Sequence, residues 1–90
     1  ENDLEQNEMK VSKLNLIKYD TITPGMEAIT KIRYKDKGSL SNIYFENGSM
    51  RVRFYENVKG IAPGQSAVFY EGEDVIGGGI IQTGSLGSVS

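Results

Sequence analysis

Lysine or arginine occupies every second position from Lys31 through Arg33 and Lys35 to Lys37, and Arg51 and Arg53 repeat that spacing further along the chain. Alternate residues of an extended strand point to one face. Each set therefore places long cations on a single surface, the arrangement needed to neutralise successive phosphates of a nucleic acid. Tyr44 and Tyr55 flank this region and are candidate stacking platforms for unpaired bases. The same pattern suits an ordinary solvated strand face whose charge discourages edge-to-edge aggregation. Composition and spacing leave both readings open.

Two other groups invite chemistry and do not support it. Gly77-Gly78-Gly79 lacks the strand-to-helix setting and the following Lys-Ser/Thr of a phosphate loop, and Ile80-Ile81 continues as strand. These glycines read as places where a strand bends or another backbone comes close. Glu71, Glu73 and Asp74 are acidic, but they lie in a turn with no partner at metal-ligand spacing, so they read as solvated turn residues. The chain has no cysteine and no histidine, which removes disulfides, the usual zinc sites, thiol nucleophiles and the commonest general base. No catalytic, cofactor-binding or metal-ligating residue is assigned.

The elements that must position these residues are strands. Ala62 to Tyr70, opened by Pro63-Gly64, and Val75 to Ile81 flank the turn Glu71-Gly72-Glu73-Asp74 and form the most hydrophobic hairpin of the chain. Glu27 to Lys35 alternates cleanly, with Ala28, Thr30, Ile32 and Tyr34 on one face and Ile29, Lys31, Arg33 and Lys35 on the other. Leu40 to Glu46 and Ser49 to Tyr55 flank Asn47-Gly48, a strong hairpin signal because both turn residues tolerate positive φ. Met50, Val52 and Phe54 share the inward face of the second arm. Asp36 to Ser39 and Pro24-Gly25 are expected turns. Near the start, apolar parity slips between Val11 and Leu14, which demands a bulge or break at Ser12-Lys13, and the first strand is placed at Leu14 to Lys18.

About six strands, short turns and no helical periodicity predict an all-β fold. Ninety residues make one small domain, and a sheet this small removes its exposed edges best by closing into an antiparallel β-barrel. Half of an open sandwich is the alternative. The domain plan is a linker at residues 1–10, a barrel at 11–82 and a flexible Gly/Ser-rich tail at 83–90. The chain starts at Glu1 and has neither a signal region nor an apolar run long enough for a membrane span, so it is expected to be a piece of a larger cytoplasmic protein.

Three stretches carry a family resemblance in matching order and spacing. Lys31-Ile32-Arg33-Tyr34-Lys35, then Pro63 to Gly72, then Gly77-Gly78-Gly79-Ile80-Ile81 resemble the closing motifs of the tRNA-specific 2-thiouridylases, whose older name is a tRNA methyltransferase. Leu14-Asn15-Leu16-Ile17 is similar to the segment opening the same domain, with Leu16 where an aromatic is usual. Ala62 and the stretch Gly38 to Phe45 depart from the family pattern.

The resemblance implies the C-terminal barrel of a three-domain enzyme, similar in fold to the second domain of elongation factor Tu. The family enzyme adenylates the wobble uridine of tRNA with ATP, and a cysteine persulfide then delivers sulfur. ATP and the catalytic cysteines belong to its N-terminal domain, so no cofactor and no catalytic residue transfer to this chain. The implied partners are tRNA and the catalytic and middle domains of the same parent chain. The persulfide donor acts on the parent enzyme, and neither DNA nor membrane is implied. Lys31, Arg33, Lys35, Lys37, Arg51 and Arg53 are the candidate tRNA contacts. A purely structural barrel that buttresses the other domains is the rival, and a free-standing barrel with its own small ligand is disfavoured because so small a core has little room for a cavity.

Overall fold

The structure, a computed structural model, describes residues 5–33, 35 and 37–82. Six strands form in chain order: β1 (Glu5–Leu16), β2 (Met26–Lys31), β3 (Ser39–Glu46), β4 (Ser49–Lys59), β5 (Ser66–Glu71) and β6 (Asp74–Ile81). They close into a barrel in the order β1-β4-β3-β2-β5-β6, with every neighbouring pair antiparallel and β6 returning to β1. Closure gives each strand two partners. Among the described residues no helix is long and apolar enough to cross a membrane.

Side-chain alternation decides what fills the interior. Ala28, Thr30 and Ile32 point inward from the β2 segment, Met50, Val52 and Phe54 from β4, and Ala67 and Phe69 from β5. All are buried, with Met9, Val11, Ile43, Ile76 and Ile81 among them. The expected faces of β2 and β4 are therefore the observed ones. Tyr34, Asp36 and the tail at 83–90 lie outside the described residues, as do residues 1–4 of the expected linker.

The turns follow their residue types. Asn47 and Gly48 have φ of 49° and 80°, the mirror-image turn whose twist suits a tight hairpin. It fixes the register that places Val52 against Ile43 and Arg51 against Tyr44. Pro24-Gly25 and Pro63-Gly64 are matched turns, with glycine φ of 80° and 92°. They are closed by bonds from the Met26 N–H to the Thr23 carbonyl (3.0 Å) and from the Gln65 N–H to the Ala62 carbonyl (3.2 Å).

Strand limits differ most from the sequence reading in β1, which also ends at Leu16 and not Lys18, and in β2, β4 and β5. The first strand begins at Glu5, not Leu14, so residues 5–10 belong to the barrel and not to a linker. The parity slip is a bulge, not a break. Lys13 takes a left-handed φ of 52°, and the register of β1 on β6 shifts between Ser12 and Asn15. One continuous strand can thus bury Met9 and Val11 before the bulge and pack Leu14 and Leu16 on the core after it. β4 runs on to Lys59 because the early part of β1 supplies a partner there, Glu5 opposite Lys59. β2 stops at Lys31, since β3 begins only at Ser39, opposite Thr30. β5 starts at Ser66, after the Pro63-Gly64 turn.

Candidate nucleic-acid interface

The six expected contact residues do not share one surface. Arg51 lies opposite Tyr44 on β3, level with the turn that precedes β2, whereas Lys31 is the last residue of β2. One intervening strand lies between the two groups, and along β2 Arg51 is offset from Lys31 by about 20 Å and Arg53, level with Glu27, by about 13 Å, at about 3.3 Å per residue.

Arg51 is already engaged. Its guanidinium contacts Glu8 at 3.2 Å and Glu46 at 3.5 Å, and it stacks over the Tyr44 ring, 4.4 Å from the centroid. The adjacent carboxylates, Glu8 foremost, hold it still more firmly protonated than usual. Two acids beside one cation leave no net positive charge for a phosphate, and the arginine covers the ring proposed as a stacking platform. Arg53 is exposed, with Asn42 and Glu8 as its cross-strand neighbours. The other platform, Tyr55, is exposed, but its hydroxyl donates to Glu27 at 2.6 Å, so an acid stands beside it too.

Lys31 and Arg33 have a different setting. Among the described residues no carboxylate forms an ion pair with either. Lys31 Nζ lies over the Tyr70 ring of β5, 4.8 Å from its centroid, an attraction that leaves the ammonium charge intact. Arg33 Nη2 donates to the carbonyls of Lys59 and Gly60, each at 3.2 Å, and neutral acceptors orient a guanidinium without neutralising it. Lys35 and Lys37 are exposed in the segment that follows. Lys31 and Arg33 wall an open cleft of about 700 Å³ whose other lining includes Gln65, Ser66, Val68 and Tyr70 and, among the described residues, no acid. By contrast, the smaller clefts around Leu40 include Glu27 and Glu71, or Glu56.

Gln65 and Ser66 were not singled out from sequence as site residues, although a signal existed. Ser66 shares the parity of Val68 and Tyr70, so it points outward at the mouth of the same seam. Gly60 gave no local signal, because its role depends on the return of Arg33 across the fold.

The acidic turn resolves into a surface clasp. Lys18 Nζ reaches Asp74 at 2.7 Å and Glu71 at 3.0 Å, while the Tyr19 hydroxyl donates to Glu71 at 2.6 Å. Among the described residues no group of three or more potential ligands is placed to hold a metal ion. The glycine run behaves as expected of a close backbone approach. A Cβ on Gly77 would sit 2.5 Å from the Asn15 carbonyl oxygen, and one on Gly78 2.6 Å from that of Ala67.

A closed six-strand barrel with a basic cleft that has no acid among its described lining residues defines a class of binding or scaffolding module. Residues 6–81 match the family described as the aminomethyltransferase β-barrel domain, and the chain belongs to that family. It is similar to the tRNA-specific 2-thiouridylase MnmA of Cytophaga hutchinsonii, with 50% identity over 84 residues, which are 92% of this chain and 23% of that protein. The MnmA of Amoebophilus asiaticus is 47% identical over 81 residues, 89% of this chain and 22% of that protein. That of Clostridium acetobutylicum is 40% identical over 83 residues, 91% and 23% respectively. The chain thus spans less than a quarter of the length of these relatives.

Proposed function

We propose that the chain is the C-terminal barrel of an ATP-dependent tRNA 2-thiouridylase, and that it helps to hold tRNA on the catalytic domain without taking part in sulfur transfer. The assignment to the enzyme rests on its likeness to relatives that carry that name. With no cysteine in the chain, a persulfide forms elsewhere in the parent, and ATP is handled there as well. The RNA-contact reading is carried by one observation: Lys31 and Arg33 border a cleft that, among the described residues, has no carboxylate in its lining and no acid paired with either cation.

Lys31→Glu with Arg33→Glu in the full-length parent tests it. Tenfold or greater loss of tRNA affinity at low salt is expected, with the slope of log affinity against log salt shallower by about one to two. Arg51→Gln, at a site where two acids already offset the cation, should change both far less than the Lys31/Arg33 variant. Unchanged affinity in the Lys31/Arg33 variant at low salt would overturn the reading.

A second reading, a barrel that buttresses the other domains, has its own support. Ile17 is 66% exposed and borders an apolar groove over β1, β5 and β6 with Val68, Val75, Ile80 and the three glycines. The two readings use opposite flanks of β5 and are compatible. Ile17→Asp should loosen the barrel from the parent in limited proteolysis while leaving the salt slope of tRNA binding intact. Unchanged proteolysis would remove the buttress.

A further inference from the structure

We infer that the seam where β2 leaves β5 is a seat for a single RNA phosphodiester, with Lys31 and Arg33 supplying charge, Gln65 and Ser66 supplying neutral donors, and Gly60 acting as the key that holds Arg33 in place. This rests on the tRNA reading above and narrows it from a basic surface to one built subsite.

The seam exists because two neighbouring strands have different lengths. β2 pairs with β5 only from Ile29 opposite Tyr70 to Lys31 opposite Val68. Ile32 then turns into the core, where it is 2% exposed. β5 extends to Ser66, paired there with Ile80 of β6, so on its other side the barrel wall opens. Ser66 is exposed and lines the same cleft as Lys31 and Arg33. Hydroxyl and amide groups opposite an ammonium and a guanidinium form a mixed donor set suited to the oxygens of one phosphate.

Two contacts hold the cations in position before any ligand arrives. The Tyr70 ring holds Lys31 Nζ over the seam. Because that ammonium covers the ring face turned to the seam, a base cannot stack on that face, and the geometry there favours the phosphate backbone over a nucleobase. Arg33 is held by the carbonyls of Lys59 and Gly60. Gly60 has a φ of 73°, and a Cβ at that position would collide with Arg33 Nη2. A Cβ there would force the guanidinium to shift from its present place against these acceptors, so Gly60 is a positioning residue acting through Arg33.

The test uses the full-length parent, tRNA, and tRNAs carrying one neutral methylphosphonate at a time. Ser66→Ala and Gln65→Ala should each weaken binding about two- to tenfold, the range for one lost hydrogen bond, without changing the salt slope. Gly60→Ala should weaken it comparably and move the side-chain resonances of Arg33. At one tRNA position, methylphosphonate substitution should cost wild-type protein affinity but cost nothing further in Lys31→Gln/Arg33→Gln. If Lys31 and Arg33 matter while Ser66→Ala and Gln65→Ala bind as wild type and every methylphosphonate effect is additive with the cation variants, the subsite is overturned and the broader tRNA reading stands. If the cation variants also bind as wild type, both fall.

Discussion

Thr30 and Ser41 bring their hydroxyls to 2.8 Å inside a barrel whose other buried side chains, among the described residues, are apolar. Ser41 also donates to the Ala28 carbonyl at 2.9 Å, so the pair ties β2 to β3 at the centre of their register. Buried polar groups are tolerated when bonded and costly when stripped of a partner. Ser41→Ala, which removes the partner of both neighbours, should lower unfolding free energy by about 1–3 kcal/mol. Thr30→Val should cost less, because Ser41 keeps Ala28, and the double variant should fall short of the sum. Urea denaturation of the four proteins checks this, and simple additivity would show that the hydroxyls do not act as a unit.

The clasp of Lys18 and Tyr19 on the β5–β6 turn predicts a pH dependence with a definite sign. The Tyr19 hydroxyl and then the Lys18 ammonium hold the Glu71 carboxyl below its ordinary value of 4.5. A depressed carboxylate stabilises the fold above its unfolded pKa, and that contribution is lost as pH falls through the folded value. Tyr19→Phe removes the larger cause. Carbon-detected titration should place Glu71 higher in the variant. The stability gap between wild type and variant should be present near neutral pH and shrink below about 4.5 as both carboxyls protonate. At the alkaline end the sign reverses. Bonds to the two acids raise Lys18, with Asp74 the larger cause, and the bond to Glu71 raises Tyr19, so their support is lost as pH climbs through those raised values.

Much of this arrangement was legible in the sequence because local rules act on it directly. The Asn47-Gly48 hairpin, the two Pro-Gly turns, the inward faces of β2 and β4 and the need for an irregularity at Ser12-Lys13 all follow from residue type and period-two alternation. What was not legible depends on neighbours distant in sequence. Residues 5–10 look like a polar terminus until β4 is known to run alongside and bury Met9. Arg51 looks as free as Lys31 until β1 brings Glu8 beside it. The Lys31–Arg33 cleft arises from β2 and β5 ending at different levels, a relation set by barrel closure and not by either strand's own residues.

Lys13 is strained where it stands. Its φ of 52° places a side chain in the left-handed region, which costs about 1–2 kcal/mol for a residue other than glycine, asparagine or aspartate, and the bulge requires that conformation for β1 to serve both β4 and β6. Lys13→Asn and Lys13→Gly should therefore hold or slightly raise stability, whereas Lys13→Val should lower it by about 1–2 kcal/mol. Thermal unfolding orders the three variants, and a Val variant as stable as the Gly variant would mean that the strand slides its register instead of keeping the bulge.

The glycines of β6 carry the sharpest contrast with a ligand-binding loop. Cβ atoms on Gly77 and Gly78 would lie 2.5 and 2.6 Å from backbone carbonyl oxygens, and one on Gly79 would meet the Ser12 carbonyl oxygen. Backbone in a closed barrel cannot yield as a side-chain end can, so alanine at any of the three should cost about 1–3 kcal/mol. Gly48 and Gly72, by contrast, have positive φ and open surroundings, so alanine there should cost only the conformational penalty of about 1 kcal/mol. Chemical denaturation of the five single variants separates the groups. In the full-length parent, a β6 alanine should lower tRNA binding only as far as it unfolds the barrel. A variant that kept its stability and still lost a ligand would make the glycine run a binding element, against the closely packed strand described here.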